Sequence, residues 1–280
     1  ELGIRSIGFD LDPLAVLVSG VASRRNDDAA LGISAEKFFG EVRALKSPPP
    51  LHWIDGDPDA ERFVSFWFGE SQRDELRKFA YVLGSAQNFG IPEPIADVLR
   101  IALSRIIVTK KQAASLAQDT SHSRPHRVAT ASDYDVMEGF SKSLQQLRKR
   151  LGKIEPKVEA KVEIGDARDL AAVRDGSVDY VLTSPPYLNA IDYMRGHRMS
   201  LIWLGHKYAA LSSTRSNSIG SERKPDSPVP AEILDQVVAK MGDLEKLQAR
   251  QRSMIERYIG DLHKMMSQVH RVLRDEGVAT

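Results

Sequence analysis

Apolar residues recur at helical spacing over three stretches of the chain. Glu61–Leu83 places Phe63, Phe66, Trp67, Leu76, Phe79 and Leu83 near a 3.6-residue period, and Ile95–Val108 does so with Ile95, Val98, Leu99, Ala102, Ile106 and Ile107. Met254, Ile255, Tyr258, Ile259, Leu262, Met265, Met266 and Val269 form the most regular stripe. Each pattern predicts an amphipathic helix with one face buried. Asp133–Leu151 reads as another, with lysines and arginines on its outer face. The rings at Phe63, Phe66 and Trp67 are able to stack on bases, but their spacing assigns them to a core.

Between the helical stretches stand short apolar runs of strand length. Ile4–Asp10 ends in an acid, and Asp12-Pro13 then opens an apolar helix from Leu14 to Val18, with Pro13 early in the helix where its missing donor costs nothing. Val162–Ile164 runs into Gly165-Asp166 and an acidic turn, and Asp175-Gly176-Ser177 turns the chain back into Val178–Leu182. Strand, helix, strand with short loops predicts parallel α/β units. Residues 1–23 and 161–280 thus read as an α/β core, and Arg24–Ala160 as a large helical insertion with Pro48-Pro49-Pro50 as a stiff connector. Leu188–Arg198 enters a helix around Leu201-Ile202-Trp203-Leu204, and Ser212–Pro230 is too polar to pack and reads as a loop. The last stripe runs to Gly277 as its stop, with Val278-Ala279 beginning a further strand.

One strand ends unusually. Val178–Leu182 closes in Thr183-Ser184-Pro185-Pro186-Tyr187. Neither proline has a backbone donor, so the strand stops there and leaves carbonyl acceptors beside a hydroxyl and a ring. In open α/β sheets, ligands sit at the carboxyl ends of strands. A planar amine fits such a tip.

Composition narrows the chemistry. The 280 residues carry a net charge of +1, so only local patches speak for a polyanionic partner. No apolar run is long enough to span a bilayer and no signal peptide is present, which predicts a cytoplasmic protein. Cysteine is absent, which removes disulfides, thiolate metal sites and a cysteine nucleophile. His122 and His126 are spaced like a metal pair, yet Pro125 opposes a helix and no third ligand is near, so no metal is expected. The basic loop Ser121–Arg127 reads either as a phosphate contact or as a solvated loop. Asp10 and Asp12 fit either a ribose acceptor or a helix cap, and Asp166 either an amine acceptor or a cap.

In order, "GFDLDPLA" at Gly8–Ala15, "GDARDL" at Gly165–Leu170, "TSPPY" at Thr183–Tyr187 and "VLRDEG" at Val272–Gly277 resemble the S-adenosylmethionine-dependent DNA amino-methyltransferases. The resemblance covers the α/β core and little of Arg24–Ala160. It implies a Rossmann-like methyltransferase core, truncated at both ends, with a large helical insertion. By the same resemblance, Asp10, with Leu11 and Asp12, binds the cofactor's ribose, Gly165, Asp166 and Ala167 lie against its adenine, and Thr183 borders it. Ser184 and the Pro185 carbonyl accept from the target amino group, Pro186 stiffens the tip, and Tyr187 stacks on the flipped base. Ser before Pro-Pro-Tyr is most similar to enzymes methylating the 4-amino group of cytosine, ahead of the 6-amino group of adenine. Carbon-5 methylation requires a cysteine nucleophile in the related families, and this chain has none. The partner implied is DNA, in a restriction-modification or phage-linked setting, with RNA as the alternative and a non-catalytic DNA-binding subunit as a third reading. Arg124, Arg127, Tyr193, Arg198 and Arg215 are the candidate nucleic-acid contacts. The family's glycine-rich loop belongs after a strand preceding Ile4, where only three residues stand. The expectation is therefore a cofactor site completed by a preceding segment or by a partner.

Overall fold

The computed structural model describes residues 3–118, 125–158, 160–185, 187–188, 192–221, 230–241 and 246–280. In chain order the elements are β1 (Ile7–Asp10), α1 (Pro13–Ala22), α2 (Asp28–Ala44), α3 (Pro58–Trp67), α4 (Glu70–Gly84), α5 (Glu93–Ser104), β2 (Ala117–Gln118), β3 (His126–Arg127) and α6 (Val136–Leu151). They continue with β4 (Lys161–Ile164), β5 (Val178–Val181), α7 (Tyr193–Leu201) with a 3-10 turn at Ile202–Leu204, α8 (Tyr208–Asn217), α9 (Ala231–Met241), α10 (Ala249–Val272) and β6 (Leu273–Ala279). The chain divides into two compact units. One holds Glu1–Gly8, Asp12–Glu163 and Asp192–Ser212, and the other Phe9–Leu11, Ile164–Ile191 and Ser213–Thr280. The helical unit thus takes in α1 and α7 as well as the stretch from residue 24 to 160.

In the helical unit, aspartates set the starts of the helices. Asp12, Asp27, Asp57 and Asp135 each accept a backbone amide of the first turn of α1, α2, α3 and α6, and prolines occupy the first turns of α1, α3 and α5. The helices bury one aromatic cluster. Phe38 lies 5.5 Å from Phe79 and 5.3 Å from Phe140, ring centre to ring centre, and Phe79 lies 5.0 Å from Phe140. Trp203 is fully buried with Phe68 edge-on at 5.1 Å, while the Trp53 indole N–H donates to the Ile202 carbonyl at 2.8 Å.

The 61–83 stripe is two helices rather than one. The chain leaves helical geometry at Phe68 and restarts at Glu70, and Gln72 fixes the corner by donating to the carbonyls of Ser132 and Tyr134 at 3.2 and 3.0 Å. The break changes which residues of α3 face inward. Ala60, Phe63 and Val64 are buried, and Phe66, expected in the core, is 47% exposed.

Among the described residues the strands form three two-stranded sheets. In the pair β1–β4, Lys161 N donates to Ser6 O and Gly165 N to Asp10 O, both at 3.0 Å. The two bonds advance in the same direction along both strands, so the pair is parallel. In the second unit β5 and β6 are also parallel, with Val178 opposite Leu273, then Tyr180 opposite Val278. Two steps on β5 therefore span five on β6. The excursion uses Glu276 at φ 65° and needs a glycine at 277, where a Cβ would fall 2.9 Å from Arg274 O. The strand thus begins at Leu273, not after Gly277, because the amides of Gly176 and Ser177 capture the carbonyls of Arg271 and Val272 and end α10 early. The expected loop at Ser212–Pro230 is corrected at its start only, and residues 222–229 of it lie outside the described residues. Its first residues belong to α8, where the Ser216 hydroxyl donates back to the Ser213 carbonyl and that of Ser218, just past the helix end, to the Thr214 carbonyl, so local bonds satisfy the polar groups. Among the described residues, no helix is long and apolar enough to cross a membrane.

Truncating the centre of the aromatic cluster tests this packing. Phe38→Ala is expected to lower unfolding free energy by about 3–5 kcal/mol, and Phe66→Ala by under about 1 kcal/mol. Urea denaturation followed by tryptophan fluorescence reads both. Similar losses from the two would refute the assignment of Phe66 to the surface.

Candidate active site at the strand tips

Every residue carried over from the family motifs except Asp12 belongs to the second unit. Asp10 ends β1 exposed to solvent. Beside it, Gly165 donates its amide to the Asp10 carbonyl, and a Cβ at 165 would stand 2.6 Å from the Phe9 ring, so only glycine lets β4 leave the sheet this close. The turn after Gly165 presents Asp166.

Asp166 is committed to a neighbour. Its Oδ1 accepts from the Arg168 amide at 2.8 Å and from Arg168 Nε at 2.9 Å, and its Oδ2 accepts from Arg168 Nη2 at 2.6 Å. The same guanidinium donates to Asp261 Oδ1 on α10 at 2.7 Å and to the Asn217 carbonyl at 2.6 Å. Asp261 lies 3.5 Å from the buried Arg257, one turn earlier on α10, and Arg257 donates to the Ser216 carbonyl at 3.3 Å. Burial pushes the Asp166 carboxyl up, but the Arg168 hydrogen bonds and charge outweigh it and hold it below the ordinary carboxylate value. Hydrogen bonding to Asp166 correspondingly raises Arg168, against its own burial.

At the other tip, β5 and β6 extend their ladder one residue further. Thr280 N donates to Val181 O and Thr183 N to Thr280 O, both at 2.9 Å. Beyond this point Ser184 is exposed, Pro185 is half-buried and Tyr187 is 84% exposed, while Pro186 lies outside the described residues. The segment is held from behind. A Cβ on Gly220 would stand 3.4 Å from the Tyr187 carbonyl, and Leu188 makes a backbone hydrogen bond with Tyr258 of α10. Burial, with the nearby Tyr187, pushes the Tyr258 hydroxyl up against that hydrogen bond. The result is a hydroxyl and an open ring at the carboxyl end of a parallel strand.

The remaining candidates lie in several places. Asp12 is buried, caps α1 through the Leu14 amide at 2.9 Å, and pairs with His197 Nδ1 on α7, so of its two readings it fills the cap. Tyr193 is exposed at the start of α7 with its ring 6.3 Å from that of His197. Arg198 packs its guanidinium against Phe63 at 5.1 Å and Tyr208 at 5.9 Å. Arg127 stacks on Phe66 at 4.8 Å, Arg215 stands in the last turn of α8, and Arg124 lies outside the described residues.

Periodicity missed the Arg168 cluster. A signal was present, because Arg257 and Asp261 are charges four apart on the apolar side of the α10 stripe, where only paired charges are stable. Comparison of the chain with protein-family models, curated proteins and solved structures gives no match.

The cluster has a pH signature. A carboxyl held low in the folded state adds stability above its unfolded value, near 4, and loses it as pH falls through the folded value. Asp166→Asn is expected to cost about 1.5–3 kcal/mol at pH 7, the worth of hydrogen bonds to a charged group, and to shrink the difference between pH 7 and pH 3. Urea denaturation at the two pH values measures this. An unchanged difference would show that the ion pair does not carry the acid dependence.

Proposed function

We propose that the chain is an S-adenosylmethionine-dependent amino-methyltransferase with a Rossmann-like core, acting on DNA and favouring the 4-amino group of cytosine. The observation that carries this reading is Ser184 and Tyr187 standing exposed at the carboxyl end of parallel strand β5, directly after the ladder bond of Thr183. A flipped base needs both an acceptor for its amino group and a surface to replace lost stacking.

The residues present fit the cofactor in part. Asp10, exposed where β1 ends, suits two ribose hydroxyls. Asp166 does not suit an adenine amino group as it stands, since Arg168 occupies both its oxygens, and Asp12 is committed to α1 and His197. When bound, S-adenosylmethionine supplies an electrophilic methyl group on a sulfonium. The chain supplies the other half. The amino nitrogen of a base is a poor nucleophile because its lone pair is delocalised into the ring. The Ser184 hydroxyl and Pro185 carbonyl accept from its N–H groups off the ring plane, favour a pyramidal nitrogen and stabilise the positive charge that develops on it. Water takes the proton. Tyr187 holds the base by stacking, so binding fixes the nitrogen in one attitude and lowers the entropic part of the barrier. No covalent intermediate is needed.

A second reading, a DNA-binding subunit without catalysis, draws on the occupied Asp166. Methyl transfer from labelled cofactor to DNA and to RNA separates the readings. Incorporation into DNA supports the first, incorporation into RNA alone moves the substrate to RNA, and none into either polymer refutes the enzyme. Ser184→Ala is expected to lower turnover about a hundredfold, as loss of one preorganised hydrogen-bonding group does, with DNA affinity nearly unchanged. Equal losses in both would remove the acceptor role. Tyr187→Ala is expected to abolish the fluorescence rise of 2-aminopurine placed at the target position of a duplex.

A further inference from the structure

The pattern assigned Phe66 to the core, and the fold leaves it on the surface with a cation on its face. Phe66 is the penultimate residue of α3, and the Arg127 guanidinium carbon lies 4.8 Å from its ring centre. Trp67 braces the ring edge-on at 4.9 Å and 87°. The strand that carries Arg127 is fixed to α3, because Leu116 N donates to Trp67 O at 2.8 Å and Val128 N donates to Leu116 O at 2.9 Å. Ala117 pairs with Arg127, and Gln118 pairs with His126 and bridges to Thr109. The hairpin therefore brings the Thr109-Lys110-Lys111 turn to the same small sheet as the Phe66–Arg127 stack. Thr109 Oγ1 holds that turn by accepting from the Lys111 amide at 3.1 Å.

Lys110, Lys111, His126, Arg127 and Val128 are all exposed, as is Arg62 one turn before Phe66. The acids nearest in these elements are already engaged. Asp59 lies 3.3 Å from Arg62, and Asp133 accepts from the Gln112 side chain. The surface therefore sets a guanidinium over an exposed aromatic ring on the same small sheet as the turn that carries a lysine pair. An acidic protein would be served by the charges alone. The planar stack adds something only for a partner with π faces.

We propose that Phe66 and Arg127 form a stacking shelf for a nucleobase of a single strand, with Lys110 and Lys111 taking its phosphates. This deepens the polynucleotide half of the function proposed above and rests on it, but it concerns binding and not methyl transfer. DNA and RNA strands share the chemistry, and the test separates them.

Single-stranded DNA carrying 2-aminopurine, RNA of the same sequence, duplex DNA and poly-L-glutamate are each titrated with the protein at several salt concentrations. A single strand should bind with its 2-aminopurine quenched. Phe66→Ala should weaken that binding about tenfold, within the range of one base–aromatic stack, and remove the quenching without changing the salt slope. Lys110→Ala with Lys111→Ala should reduce the slope by about 1.4, two phosphates on a single strand, and keep the quenching. Arg127→Lys keeps the charge and loses the plane, so it should relieve the quenching at constant slope. Tighter binding of one single strand assigns the source to DNA or RNA. Absence of single-strand binding, unaltered quenching in Phe66→Ala, or equal affinity for poly-L-glutamate would overturn the shelf. Because no step reads methyl transfer, a catalytically silent protein that passes this test would refute the enzyme and keep the shelf.

Discussion

A guanidinium largely withdrawn from water has to be met by acceptors on every side, and half-buried Arg168 is where the second unit meets that constraint. Its donors reach Asp166 next to β4, Asp261 on α10 and the carbonyl that ends α8, so three segments remote in sequence share one charge. Removing any partner leaves a charge in a poor solvent, a larger penalty than the attraction gained by forming the pair. Arg257 repeats the device one turn along α10, taking Asp261 and the Ser216 carbonyl. These arginines supply the donors that the last carbonyls of α8 would otherwise seek from water.

The same network limits what the neighbouring site can do. Gly165 and Asp10 place an acceptor-bearing turn at the end of β1, but Asp166 faces inward to its arginine. The β5 tip has the opposite character, with Ser184 and Tyr187 exposed and the backbone just after them, at Leu188, held by Tyr258. One strand end is committed to cohesion, the other to display.

Much of this architecture was legible in the sequence. Helical spacing located α5, α6 and α10 to within a few residues, and the acids and prolines that begin α1 stood where their chemistry requires. Three things were not legible. Phe66 fits the stripe of Phe63 and Phe79, and only the corner at Phe68–Gly69, pinned by Gln72 from a segment sixty residues away, turns it outward. The serines of α8 read as a loop because local pattern does not report hydroxyls that bond back to their own helix. The early end of α10 depends on amides at Gly176 and Ser177, nearly a hundred residues upstream. For the site, the strand-tip motif was readable because two prolines and an exposed ring are a local design, whereas the partners of Asp166 are set by tertiary packing.

The parallel strands carry apolar side chains into water. Ile7 and Ile164 on the first pair and Tyr180 and Val278 on the second are all exposed. Strands of this kind are templates for further pairing, since unpaired backbone groups and bare apolar faces attract any extended chain. What opposes such pairing on the same strands is charge: Lys161 with Glu163 at 2.7 Å on β4, and Arg274 with Asp179 between β6 and β5. These pairs are exposed and hence screened by salt. The bare apolar faces of these strands therefore stand beside charges whose mutual attraction weakens as ionic strength rises.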